Sequence, residues 1–135
     1  MDRIPTARPS WTEDMRNAAI ETLDSRQWVK GAKGKEFGEL FAAYCGAESA
    51  VPCQNGSSSL WAALKILNIG PGDEVIVPSY TFISTVTAIS LVGATPVFVD
   101  VEEDYWCIDY QSIKNALTSK TKAVIAVHIY GQVYN

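Results

Sequence analysis

The fold is decided by residues 72–101, which read GDEVIVPSYTFISTVTAISLVGATPVFVDV. Two runs rich in apolar and β-branched residues, EVIVP and TPVFVDV, flank a segment from Thr81 to Leu91 that has the length of a helix and is apolar on most sides. Strands that are apolar at nearly every position are typical of parallel sheets covered by helices on both faces. This stretch therefore predicts a strand–helix–strand unit of an α/β protein.

The sequence on either side extends the same pattern. Two further apolar runs stand at 49–53 (SAVPC) and 122–129 (KAVIAVHI), so that four parallel strands are predicted. One helix is expected to follow the break at 55–58, and another to begin at Asp109, which has the residue type of an N-cap. The last strand has no helix after it, and we therefore expect the chain to be the N-terminal portion of a longer protein.

The first 46 residues have a different character. Residues 1–9 are expected to be an irregular arm, and Ser10-Trp11-Thr12-Glu13 has the pattern of a capping box that opens a helix. A second helix is predicted from the helical spacing of Phe37, Leu40, Phe41 and Tyr44, with Gly46 as its C-terminal glycine. We predict a division into residues 1–46, an arm with two helices, and residues 47–135, the first part of an incomplete α/β domain.

Composition excludes several classes of protein. The 135 residues are 47% hydrophobic and 19% charged with a net charge of −4, which is ordinary globular composition without a basic run for nucleic acid. No apolar stretch is long enough to span a bilayer, and the N-terminus does not have the pattern of a secretory signal. Three widely spaced cysteines indicate buried thiols in a reduced, cytoplasmic protein, with no disulfide framework and no metal site.

A phosphate-binding turn is indicated at Asn55-Gly56-Ser57-Ser58, between a strand and a helix. The first turn of a helix presents unpaired N–H groups and the positive end of the helix dipole, and a glycine lets an anion approach the backbone. From the residues alone, the alternative is a serine-rich N-cap without a ligand.

Further candidates follow the next strands, where ligands bind in open α/β sheets. Phe82 could stack on a flat ring, or it could be a core residue of the helix that it starts. Asp100 and the acidic residues at 102–104 could form a metal or acid–base site, although a solvated turn is the commoner role of such a cluster. His128 is the single histidine, and a structural role is the alternative to a cofactor contact.

Taken together, these segments closely resemble the start of the DegT/DnrJ/EryC1/StrS family of sugar aminotransferases, which use pyridoxal phosphate (PLP). The resemblance runs from about Pro9 to the end of the chain and is carried by the strings NGSSSL, GDEVIVPSYTF, GATPVFVDV and KTKAVIAVHIYGQ. It implies the aspartate-aminotransferase-like fold (fold type I), with a mostly parallel sheet in the order 3-2-4-5-6-7-1. EVIVP, TPVFVDV and KAVIAVHI would be strands 2, 3 and 4, and the run near Ala50 would be strand 1, whose neighbour, strand 7, is not in this chain.

The resemblance also implies roles for particular residues. Gly56, Ser57 and Ser58 would hold the PLP phosphate, and Phe82 would stack on the pyridine ring. Trp28 and Gly31 lie in a segment that resembles the substrate entrance of the family, where they would contact the substrate or a second subunit. None of the seven lysines lies in a segment like the family's Schiff-base motif, so no catalytic residue is expected in this chain and the lysine is expected downstream.

The function implied for the whole protein is PLP-dependent transfer of an amino group from an amino acid, expected to be glutamate, to a keto group of a nucleotide-linked sugar. A cytoplasmic homodimer that binds neither nucleic acid nor membrane is expected. Two alternatives remain: a PLP-dependent sugar dehydratase of the same family, and a non-catalytic, truncated or regulatory member.

Overall fold

A computed structural model describes residues 7–135, which contain five α-helices and three strands. In chain order these elements are α1 (Glu13–Ser25), α2 (Ala32–Cys45), α3 (Gly56–Ile66), β1 (Glu74–Pro78), α4 (Ile83–Leu91), β2 (Thr95–Val99), α5 (Tyr110–Ala116) and β3 (Thr121–Val124). The chain divides into two compact units, the first ending at Pro52 and the second spanning Cys53–Asn135. This division falls slightly later than residue 46; the assignment of 1–46 and 47–135 as domains stays a prediction.

The second unit is built on a parallel sheet with the strand order β2-β1-β3. Ile76 at the centre of β1 lies opposite Val97 of β2 and Val124 of β3. The α/β class predicted from the sequence is thereby confirmed. The three strands have the order that the family resemblance implies for strands 3, 2 and 4.

β1 is the central strand because its side chains are apolar on both faces. Val75 and Val77 pack on one side with Leu64 of α3 and Ile89 of α4. Ile76 points to the opposite side, where it packs with a second cluster that includes residues of α5. Successive side chains of a strand alternate between faces, so the run VIV fills both layers of the core at once.

The predicted strand near Ala50 is wrong. Residues 49–53 adopt no strand and lie outside the three-stranded sheet. One physical reason is that Pro52 lacks the N–H that a ladder requires. The run predicted at 122–129 is also shorter as a strand, ending at Val124, after which Ile125 still donates its N–H to the carbonyl of Ile76 over 2.9 Å.

Helix ends follow local side-chain chemistry. The predicted C-terminal glycine is confirmed, since Gly46 ends α2 in the left-handed region with φ of 68°. The predicted cap at Asp109 is also confirmed, because its carboxylate accepts the N–H groups of Gln111 and Ser112 at 3.3 and 2.7 Å. The predicted cap at Ser10 is wrong: Thr12 caps α1, accepting the N–H of Met15 at 3.3 Å, so that Glu13 occupies the first helical position instead of the third.

The first unit exposes most of its apolar side chains. Phe37, Leu40, Phe41 and Tyr44 all lie on the predicted helix, and all four are exposed. No residue of α1 is buried. The prediction of buried thiols holds for Cys107 and is wrong for Cys45 and Cys53, which are exposed. Among the helices of residues 7–135, none combines the length and the apolar character needed to cross a membrane.

Replacing Ile76 tests the central position of β1. We expect Ile76→Ala to lower the free energy of unfolding by about 2–5 kcal/mol, because it opens a cavity in a fully buried layer. Ile66→Ala, at the exposed end of α3, should change it by less than about 0.5 kcal/mol. Urea denaturation of the protein and both variants measures these differences, and equal losses would show that β1 is not the centre of the core.

Asp109 gives the stability a pH dependence of known sign. Its hydrogen bonds with Ser112 and Gln111 lower the pKa of the carboxyl below its ordinary value. The cap therefore contributes stability above the unfolded pKa of about 3.9, and this contribution is lost as the pH falls through the lower folded pKa. Unfolding measured at pH 7 and at about pH 2 should show Asp109→Ala destabilising the protein at the higher pH, with the difference shrinking in acid. A difference that stays constant with pH would contradict this role.

Candidate functional site

The site lies at the carboxyl ends of the strands, where two helices begin side by side. A short connection joins the end of α3 to the start of β1, and α4 follows directly after the end of β1. α3 and α4 pack against each other, with Leu64, Ala88 and Ile89 in one apolar cluster. Both helices therefore begin at the same edge of the sheet, which brings Ser57 and Phe82 to that edge.

The start of α3 has the chemistry of an anion site. Asn55 is its N-cap, and the side-chain oxygen of Asn55 accepts the N–H of Ser58 at 2.9 Å. Gly56 and Ser57 are the two helical residues before Ser58, and the Asn55 side chain does not accept their N–H groups. No acidic residue stands in the first turn. Within residues 7–135 the hydroxyls of Ser57 and Ser58 bond to no other group, whereas the Ser59 hydroxyl donates to the carbonyl of Gly56 at 2.9 Å. The turn thus offers two amides and two hydroxyls to a ligand.

Gly56 leaves open space beside this turn. Apart from its chain neighbours and the backbone of α3 itself, a Cβ built at Gly56 would meet no protein atom within 4 Å, and the φ of Gly56 is not in the left-handed region. Neither packing nor backbone conformation therefore demands a glycine at this position. A close approach of a bulky anion to the backbone is a physical reason for the missing side chain.

Phe82 is an exposed aromatic residue. It is the N-cap residue of α4, and 72% of its surface is accessible. This exposure does not fit a core residue of the helix, which was the alternative from the sequence. The ring is available to stack on a flat ligand at the edge where α3 begins.

A group of aromatic side chains that no sequence pattern predicted lies beyond the same ends of the strands. The hydroxyls of Tyr80 and Tyr130 are 3.3 Å apart, and the ring of Trp106 meets that of Tyr80 edge-on with 5.8 Å between centroids. The hydrogen bond with Tyr130 raises the pKa of Tyr80. These residues line a cavity of about 440 Å³. They come from three separate loops, so the only signal in the sequence was that each loop follows a strand.

The acidic cluster organises a turn. Asp100 accepts the N–H of Val101 at 2.9 Å, and Glu102 accepts those of Asp104 and Tyr105, each at 2.8 Å. No group of three His, Cys, Asp or Glu side chains that could hold a metal ion occurs in residues 7–135. The carboxylates of Asp100 and Glu102 are thus engaged by the backbone of the turn.

His128 has a local structural role. Its ring stacks on that of Tyr134 with centroids 4.8 Å apart, and Nδ1 accepts the N–H of Tyr134 at 3.4 Å. These two contacts join both ends of residues 128–134, in the segment that follows β3.

Trp28 and Gly31 belong to the first unit, where both line a cavity of about 650 Å³. The indole N–H of Trp28 donates to the carbonyl of Leu23 at 3.3 Å, and 69% of the residue's surface is exposed. Gly31 is the N-cap of α2, and a Cβ there would come within 2.3 Å of the carbonyl oxygen of Gln27. The fold alone therefore requires a glycine at 31, and the contact of either residue with a substrate stays a prediction.

The chain is similar in sequence to known sugar-modifying enzymes. The chain is 39% identical to GDP-perosamine synthase of Caulobacter vibrioides over 135 residues, 98% of this chain and 36% of the relative. It is 44% identical to dTDP-3-amino-3,4,6-trideoxy-alpha-D-glucose transaminase of Streptomyces venezuelae over 114 residues, 84% of this chain and 30% of the relative. The chain thus spans about a third of the length of the curated relatives that it matches.

Solved structures agree with the sequence comparison. The PLP form of the sugar aminotransferase Spr1654 from Streptococcus pneumoniae superposes with a TM-score of 0.92 at 36% identity, covering 98% of this chain and 34% of that one. An aminotransferase from Psychrobacter cryohalolentis gives a TM-score of 0.88 at 38% identity, covering 95% and 33%. The fold is that of the fold type I aminotransferases. Residues 9–135 match the DegT/DnrJ/EryC1/StrS aminotransferase family, and the chain therefore belongs to that family.

Proposed function

We propose that the whole protein is a PLP-dependent aminotransferase that converts a keto group of a nucleotide-linked sugar to an amine, with glutamate as the amino donor. The observation that carries the proposal is the start of α3, which offers two amides and two hydroxyls next to a glycine whose missing side chain leaves open space. The relatives named above as a GDP-sugar synthase and a dTDP-sugar transaminase support the substrate class.

The residues present fit PLP. Its phosphate monoester is an anion of the kind that a helix N-terminus favours, and Ser57 and Ser58 would donate to its oxygens. Its pyridine ring is flat and would lie against the exposed face of Phe82. When bound, PLP supplies an electron sink and carries the amino group from donor to acceptor.

The contribution of this chain is orientation. Holding the phosphate at one end and the ring face at the other limits the cofactor to one pose, so that the bond to be broken can lie perpendicular to the ring. The lysine that attaches the cofactor is expected in the part of the protein outside this chain. A homodimer, and a role of Trp28 and Gly31 in contacting the substrate or the second subunit, complete the proposal. The cytoplasmic location stays a prediction.

The direct test of the reaction uses the whole protein loaded with PLP. Adding glutamate should remove the visible absorbance of the bound cofactor, and a nucleotide-linked ketosugar should restore it. Cofactor that binds and does not respond to any amino acid would favour the dehydratase alternative. Failure to bind PLP would leave the non-catalytic alternative.

Removing one hydroxyl tests the phosphate site. Ser57→Ala in the whole protein should weaken PLP retention by roughly tenfold to a hundredfold, since a hydrogen bond to a charged group contributes about 1.5–3 kcal/mol. Equilibrium dialysis with pyridoxamine phosphate, which cannot form the covalent link to lysine, measures the loss directly.

Ser59→Ala is the matched control for this test. Its hydroxyl is already bonded to the carbonyl of Gly56, so the variant removes a serine from the same turn without removing a group that faces the ligand. Equal losses in the two variants, or no loss in either, would refute the assignment of Ser57.

A further inference from the structure

The start of α4 contains a pair of threonine hydroxyls with no assigned role. Thr85 is only 5% exposed, which makes it the one buried polar residue in the described part of the second unit. Its Oγ1 lies 2.9 Å from Oγ1 of Thr81, the residue immediately before Phe82. A buried hydroxyl without a partner is costly, so this bond holds Thr81 close to the helix.

The N-cap residue of α4 does not cap the helix with its side chain. Phe82 has no polar side chain, and the helix has no side-chain cap hydrogen bond. The N–H of Thr85 donates instead to the carbonyl of Phe82 at 3.0 Å. Thr85 thus holds the backbone on both sides of Phe82, through its side chain before the residue and through its amide after it.

The residues before Thr81 are fixed by other partners. The N–H of Ser79 donates to the carbonyl of Val99 at 2.9 Å, which ties the segment to β2. Tyr80 is held by its hydroxyl contact with Tyr130 and its ring contact with Trp106. In this segment only the position of Thr81, next to Phe82, therefore depends on the hydrogen bond between the two threonines.

An exposed aromatic ring receives little orientation from packing. Because 72% of Phe82 is accessible, the direction of its ring depends mainly on the backbone that carries it. A stacking platform works best when it is oriented before the ligand arrives, since ordering it on binding reduces affinity.

We propose that Thr85 is a positioning residue for Phe82: its hydroxyl, acting through Thr81, fixes the backbone at Phe82 so that the phenyl ring faces the pyridine of PLP. This inference rests on the proposed function. It adds a residue that touches neither cofactor nor substrate.

The test compares three variants of the whole protein. Thr85→Val keeps the shape and removes the hydroxyl, Thr85→Ser keeps the hydroxyl, and Thr87→Val removes an exposed hydroxyl of the same helix that donates only to the carbonyl of Ile83. We expect Thr85→Val to weaken binding of pyridoxamine phosphate by roughly threefold to tenfold. Thr85→Ser and Thr87→Val should stay within about twofold of the wild type.

A second readout needs no cofactor. Hydrogen exchange in the peptide that contains Phe82 and Thr85 should become faster in Thr85→Val than in the other two variants, because the backbone there loses its anchor. If Thr85→Val does not fold, Thr81→Val removes the same hydrogen bond from its half-buried end, with Thr81→Ser as its control.

The outcomes separate the two proposals. Weaker binding together with faster local exchange, confined to the valine variants of the pair, supports the positioning role. Unchanged affinity, or an equal loss in Thr87→Val, overturns it while leaving the proposed function in place. A wild-type protein that binds neither PLP nor pyridoxamine phosphate overturns both.

Discussion

The structure depends on the burial of β1 on both of its faces. Val75 and Val77 face α3 and α4, while Ile76 faces the layer that contains Ile108 and packs against α5. A strand that is apolar on both sides is stable only when helices cover both sides, and this requirement places helices in the connections on each side of it. The parallel order of the sheet follows, because each strand must return through a helix before the next begins.

The same constraint creates the candidate site. Helices that run back along a parallel sheet begin at the carboxyl edge, so their unpaired N–H groups and positive dipole ends collect there. In this chain α3 begins with glycine and serines, and the N-cap residue of α4 is an exposed phenylalanine. A ligand that consists of an anion and an attached flat ring could therefore bind with the anion at the start of α3 and the ring at the start of α4. The chemistry thus comes from a few residues at positions that the core has already fixed.

Much of this could be predicted from the sequence because the deciding signals are local. The runs EVIVP and TPVFVDV, the cap at Asp109 and the glycine at 46 each depend on neighbours a few residues away. Each appears in the structure, although the second run is a strand only over Thr95–Val99. The strand expected near Ala50 does not form, and the run itself could not show this, because strand pairing depends on residues outside the run. The meeting of Tyr80, Trp106 and Tyr130 was missed for the same reason: three loops contribute to it, and no pattern within one loop reports the others. The exposure of Phe82 likewise follows from tertiary packing, since apolar character alone favoured a core residue.

The most direct test is a crystal structure of the whole protein with PLP bound. We expect the phosphate at the start of α3, with oxygens about 3 Å from the amides of Gly56 and Ser57 and from the Ser57 hydroxyl, and the ring of Phe82 parallel to the pyridine. A phosphate bound elsewhere, or a Phe82 ring turned away from the cofactor, would contradict it.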